Sequence, residues 1–206
     1  MSSPKQLWAR LVKTLRGRRY RHFWENNGDR KHMKLTIYPA IGELFRGRTD
    51  ARILDIGCQW YNVENYRLFE NEEIEYWSLD PVGPPTGLVC HHFLRDSIFD
   101  LEVRRPDLVG FFDLIISYGV LGFYPFSLEQ ASTYLRTCHR LLKPDGLLLW
   151  KLDVTRMSRQ EAAFRFDSSV ATPFFQTTSR NQLIESQTVR DEGHEYQFLT
   201  LTPRPE

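Results

Sequence analysis

The 206-residue chain is 41% hydrophobic and 26% charged, the balance of a globular domain rather than of a disordered or fibrous chain. Its longest apolar run, around Gly146 to Trp150, is far below the roughly 18 residues of a membrane span, and its basic N-terminus lacks the apolar run of a secretory signal. No membrane span and a cytoplasmic location are therefore expected, and Cys58, Cys90 and Cys138, with no CxxC or zinc-like spacing, are expected to be reduced and metal-free.

The net charge of +1 conceals a polarity, because residues 1–50 hold 12 Lys/Arg against 4 Asp/Glu while the rest holds 15 against 22. A basic arm of residues 1–48 is expected to precede a domain spanning residues 49–206. Within the arm, Leu7, Trp8, Leu11, Val12 and Leu15 fall at helical spacing opposite Lys5, Arg10, Lys13 and Arg16. A second helix is expected over about 31–46. Tyr20, Phe23 and Trp24 interleave with Arg16, Arg18, Arg19 and Arg21, a pattern that suits a lid over a site, a solvated face, or a patch for nucleic acid or an anionic membrane surface. Tyr20 and Trp24 are candidate substrate contacts.

From Ala51 onward, short apolar strands alternate with helices. Strands are expected over 52–57, 74–80, 91–93, 112–117 and 147–152, and helices over 63–69, 97–104 and 127–142, with Lys143-Pro-Asp-Gly146 as a tight turn. Strands apolar on both faces, separated by helices, specify a parallel sheet covered on both sides. The tail differs: 186–190 and 195–202 alternate around Asp191-Glu-Gly193, which predicts a hairpin and an antiparallel edge strand.

In such a sheet ligands bind beyond the carboxyl ends of the strands, where the strand order reverses. "ILDIGC" ends the first strand on Gly57, and "IEYWSLD" ends the second on Asp80, 23 positions later, the separation at which a carboxylate can hold the hydroxyls of a ribose. A dinucleotide loop would need glycines where this chain has Gln59 and Asn62, so a nucleoside cofactor without phosphates fits better than NAD or FAD.

In order and spacing, "ILDIGC", "YWSLDP", "FDLIISYGVLGFY" and "LLKPDGLLLWKLD" resemble the motif set of the class I S-adenosylmethionine-dependent methyltransferases, over roughly residues 50–153. The resemblance implies a Rossmann-like, seven-stranded, mostly parallel sheet with an antiparallel C-terminal hairpin, and S-adenosyl-L-methionine as cofactor. It implies that Asp55, Gly57 and Cys58 lie at the methionine end, Asp80 and Pro81 at the ribose, Asp96 and Ser97 at the adenine, and the Ser117-Tyr118-Gly119 backbone at the methionyl ammonium. Asp96 could equally be the N-cap of the helix that follows. The family usually reads Gly-Cys-Gly-x-Gly in its first loop, whereas this chain has Gly57-Cys-Gln-Trp-Tyr61; Trp60 and Tyr61 are candidates with Phe123 and Lys151 for the acceptor side.

Direct displacement from a sulfonium needs alignment more than a covalent nucleophile, and a base only where the acceptor must lose a proton. His91, His92, Tyr118 and Tyr124 are the candidate catalytic groups. Adjacent histidines on a strand point to opposite faces, which argues against a shared metal. A small-molecule acceptor is the expected partner, with an RNA or protein substrate, or a fold-sharing protein that does not methylate, as alternatives. The chain is expected to be a monomer or homodimer.

Overall fold

The computed structural model describes residues 45–58, 74–85, 87–118, 120, 128–153, 181–191 and 194–203. The expected helices over 6–15 and 63–69, and all of that over 31–46 except Phe45 and Arg46, lie outside them.

Strands β1 (Arg52–Ile56), β2 (Glu75–Leu79), β3 (His92–Leu94), β4 (Phe112–Tyr118) and β5 (Leu142–Asp153) form a parallel sheet in the order β3-β2-β1-β4-β5. The chain runs outward from β1 through β2 to β3, then returns to the other side of β1 as β4, so the order reverses between β1 and β4. The register aligns Ile56 with Leu79 and Ser117, and Leu79 with Leu94, which brings the carboxyl ends of four strands to one level. Two further strands, β6 (Asn181–Asp191) and β7 (His194–Pro203), occupy the segment of the expected hairpin.

Alternate residues of a strand face opposite ways. Leu54, Ile56, Trp77, Leu79, Ile115, Leu148 and Trp150 face one core, which helices α1 (Ile98–Arg104) and α2 (Leu128–Leu141) cover. In α2 the contributing residues are Ala131, Tyr134, Leu135, Cys138 and Leu141, one stripe of a 3.6-residue period. Ile53, Tyr76, Leu114 and Ile116 face a second core, joined by Ala51, Ile74 and Phe45. The chain is thus already packed on the sheet at Phe45.

The amino ends of the strands are tied by ion pairs. Buried Asp113 accepts from Arg48 Nη2 at 2.8 Å, from the Arg52 backbone N–H at 2.9 Å and from Lys143 Nζ at 2.8 Å. Lys143-Pro-Asp-Gly146, expected as a turn ahead of a strand, is an irregular segment with pairing on both sides: Leu142 pairs with Phe112 and Leu147 with Leu114. A side chain at Gly146 would come within 3.0 Å of the Phe112 and Lys143 carbonyl oxygens, which is why the chain carries glycine where it rejoins β4.

Candidate active site

The carboxyl ends of β1 and β2 bring together the residues that the spacing singled out. Gly57 follows β1 with φ of 73°, a left-handed backbone that favours glycine, and its N–H donates to the Leu79 carbonyl at 2.8 Å. A Cβ at this position would sit 2.5 Å from Val120 Cγ2. The space beside this glycine is therefore taken up, in part, by Val120 just beyond β4, so the glycine serves chain packing as well as turn geometry.

Asp55, the penultimate residue of β1, is fully buried and accepts from the Tyr76 hydroxyl at 2.7 Å. Asp80 is also buried. Its N–H donates to the Leu94 carbonyl at 3.1 Å, tying it to the end of β3, and its Oδ1 accepts from the Val82 N–H at 2.8 Å, which fixes the turn through exposed Pro81. Cys58 lies within reach of both carboxylates. Burial first, and then the charges of Asp55 and Asp80, push its thiol far above the ordinary range, so it stays protonated and is no nucleophile. At the end of β4, the buried Ser117 and Tyr134 hydroxyls share a hydrogen bond of 2.6 Å, and Tyr134 braces that strand end from α2.

Asp96 and Ser97 differ from expectation in one respect. The cap of α1 is Ser97, whose Oγ accepts from the Phe99 N–H at 3.3 Å, and not Asp96. Asp96 Oδ1 accepts from the Ser97 N–H and from Arg104 Nη1, both at 3.0 Å. A serine here reaches the second helical amide, while the carboxylate one residue earlier turns onto the amide of the cap residue itself.

The structure assigns both histidines to the strand ladder rather than to the site. His91 N–H donates to the Tyr76 carbonyl at 2.9 Å, and His91 Nδ1 accepts from the Tyr76 N–H at 2.9 Å, level with the first half of β2. His92 stacks on Trp77 with centroids 4.1 Å apart, and its Nε2 meets Glu75 Oε1 at 2.8 Å, where Arg52 joins at 3.2 Å. Both histidines are thus drawn toward the amino end of β2, away from Asp80. Among the described residues, no group of three or more His, Cys, Asp or Glu is arranged to hold a metal ion, and no helix is long and apolar enough to cross a membrane.

Tyr118 closes β4 and pairs with Lys151 of β5, so both stand at the carboxyl edge of the sheet. Tyr20, Trp24, Trp60, Tyr61, Gly119, Phe123 and Tyr124 lie outside the described residues. Sequence reasoning missed Tyr76 and Tyr134, which bond Asp55 and Ser117, and Val120, which fills the space beside Gly57. An aromatic inside an apolar strand or helix stripe reads as core, and the only trace of the two tyrosines is a hydroxyl with nowhere apolar to go.

The donor set fits a cofactor of the nucleoside type. Asp55, Asp80 and Ser117, all buried and gathered at adjoining strand ends, offer acceptors for hydroxyl and ammonium hydrogens, whereas Arg48, Arg52 and Lys143 are engaged at the opposite end of the sheet.

The topology is that of the Rossmann-like fold found in the class I S-adenosylmethionine-dependent methyltransferases. Among solved structures, the chain is similar to a 1,6-didemethyltoxoflavin-N1-methyltransferase of Burkholderia thailandensis, solved with 1,6-didemethyltoxoflavin and S-adenosylhomocysteine, at 18% identity and a TM-score of 0.67, over 100% of this chain and 92% of that one. It is also similar to a TehB-like S-adenosylmethionine-dependent methyltransferase of Corynebacterium glutamicum (16% identity, TM-score 0.60, 93% and 100% covered). A third is the 16S rRNA (adenine(1408)-N(1))-methyltransferase of Catenulisporales acidiphilia (11% identity, TM-score 0.56, 81% and 92% covered). No protein-family model and no curated protein sequence matches the chain.

Proposed function

We propose that the protein is an S-adenosylmethionine-dependent methyltransferase acting on a small-molecule acceptor with an oxygen or nitrogen nucleophile. The observation that carries the reading is the closeness of Gly57 to buried Asp80: they follow neighbouring strands of one parallel sheet, the Gly57 N–H donates to the carbonyl of Leu79 just before Asp80, and β1 borders the reversal of strand order. When bound, S-adenosylmethionine supplies a methyl group on a positively charged sulfur. In this reading Asp80 accepts the ribose hydroxyls, with Pro81 shaping the turn beside it. Asp55, Gly57 and Cys58 line the methionine end, Asp96 and Ser97 stand at the adenine, and the backbone from Ser117 through Tyr118 to Gly119 receives the ammonium.

The buried carboxylates favour a cationic cofactor, and orientation supplies much of the rate. Tyr118 and Tyr124 are the groups proposed for contact with the acceptor proton. Trp60, Tyr61, Phe123 and Lys151, with Tyr20 and Trp24 from an N-terminal arm of residues 1–48, are proposed to surround the acceptor. The toxoflavin enzyme, whose small heterocyclic substrate is named with it and which matches nearly end to end, supports the small-molecule class. The basic arm and the rRNA methyltransferase among the similar structures support the second reading, an RNA acceptor.

We also propose the full seven-stranded sheet of this fold. The antiparallel pairing of β7 with β5 (Lys151 opposite Phe198) and of β6 with β7 (Val189 opposite Tyr196) supports it. Calorimetric titration with S-adenosylhomocysteine tests the cofactor assignment. Binding is expected for the native chain and a loss of at least about tenfold for Asp80→Ala, the worth of a hydrogen bond to a charged group. Undiminished affinity would remove Asp80 from the site.

A further inference from the structure

We infer that Tyr76 is a positioning residue for the cofactor, acting through Asp55 and itself held in place by His91. The inference rests on the cofactor reading above and adds a role that neither residue's position in the chain announces.

Tyr76 lies in β2 opposite Ile53, two residues short of the level of Asp55, whose register partner is Ser78. Its ring runs up the second core toward the carboxyl end and places the hydroxyl 2.7 Å from Asp55 Oδ2, with both residues fully buried. A phenol donating to a buried carboxylate does two things. It stabilises the charged form, and it fixes the direction in which the second oxygen points. Two features hold the phenol itself. The ring packs among Ile53, Leu114 and Ile116, and both backbone polar groups of Tyr76 are engaged by His91, one through the imidazole Nδ1 and one through the amide. The path from His91 to Tyr76 to Asp55 is therefore a continuous set of directional bonds. It ends at a carboxylate in the carboxyl-terminal cluster, one strand away from Asp80.

This arrangement predicts a selective effect. Tyr76→Phe keeps the ring and the core volume but removes this one donor to Asp55, so the carboxylate is held less firmly at the methionine end while the ribose side, built on Asp80 and Val82, is untouched. Two probes separate the ends: S-adenosylhomocysteine carries the amino-acid portion, and 5′-methylthioadenosine shares the nucleoside but lacks it. Tyr76→Phe is expected to weaken S-adenosylhomocysteine by about tenfold, as one hydrogen bond to a charged group would, and to leave methylthioadenosine unchanged. In an Asp55→Asn background the same substitution is expected to cause no further loss, since the charge through which Tyr76 acts is gone.

His91→Ala, which removes the imidazole acceptor but keeps the ring of Tyr76, is expected to give a smaller loss with the same selectivity, and stands in should Tyr76→Phe fail to fold. Equal loss of both probes would mean that Tyr76 supports the fold alone, and unchanged S-adenosylhomocysteine affinity would mean no role; either overturns the inference. A native chain that binds neither probe would instead overturn the cofactor reading beneath it.

Discussion

Gly57→Ala probes the tightest point of the candidate site. The added Cβ meets two separate obstacles. The first is the backbone: at φ of 73° an L-residue is strained by about 1–2 kcal/mol. The second is Val120, whose Cγ2 would stand 2.5 Å away, and relieving that overlap by turning a stiff β-branched side chain or shifting the loop costs about 1–3 kcal/mol. The sum, about 2–5 kcal/mol, is a large share of a domain's stability.

The two parts separate in a second background. Val120→Ala removes the obstructing methyl but not the backbone strain, so Gly57→Ala is expected to cost only about 1–2 kcal/mol there, leaving a favourable coupling of about 1–3 kcal/mol between the substitutions. Urea unfolding of the four chains, followed by fluorescence of buried Trp77 and Trp150, reads this directly, with the midpoint moving and the slope constant. Simple additivity within about 0.5 kcal/mol would refute the Val120 contact, and a Gly57→Ala chain as stable as the native one would refute the left-handed turn.

Asp113→Ala removes an acceptor shared by two cations and an amide. Breaking a buried pair costs about 3–5 kcal/mol, but the Arg48 and Lys143 side chains are 42% and 25% exposed and can rehydrate, so about 2–4 kcal/mol is expected from urea midpoints. Added salt should leave most of that difference in place, since Asp113 itself is buried. For the thiols, burial raises Cys138 and burial with neighbouring carboxylates raises Cys58, so both stay protonated in the folded chain where an unfolded thiol, with pKa about 8.5, ionises. Their contribution to stability is complete below that pKa and falls as pH climbs above it, by up to about 1.4 kcal/mol per pH unit for each thiol. Unfolding midpoints between pH 8 and 10 check this; a Cys138→Ala chain should show a shallower decline, and an identical slope would refute the assignment.

The parallel sheet, and the meeting of Gly57 with Asp80 at its carboxyl edge, were legible because they rest on periodicities. Strand alternation and the run of helices located β1, β2, β4 and α2 within a residue or two, and the distance from Gly57 to Asp80 carried through because a strand, a crossover and a strand take a near-constant length of chain. The rest depends on which end of a strand a side chain leans toward. His91 and His92 were expected beside the chemistry, but alternation speaks only of faces, and both lean toward the amino end, one to Tyr76 and the other to Glu75. Tyr76 read as core, and it is core, with its hydroxyl carried past the apolar layer to Asp55. The Lys143–Gly146 segment looked like a turn because its residues are turn residues. That it is flanked by pairing on both sides is decided by β4, far away in sequence.

His91 has one more consequence, for the company the protein keeps. β3 is three residues long and begins only at His92, so among the described strands the first part of β2 has no partner strand beside Tyr76's N–H and C=O, which could template another chain's strand. An imidazole nitrogen and its own amide occupy both groups. One residue ahead of the strand thus finishes the ladder without lengthening it, and an incoming strand meets a ring where it would need a backbone. Resistance to edge-to-edge aggregation at this corner is in this way vested in a single residue, whose side chain covers the donor and whose amide covers the acceptor.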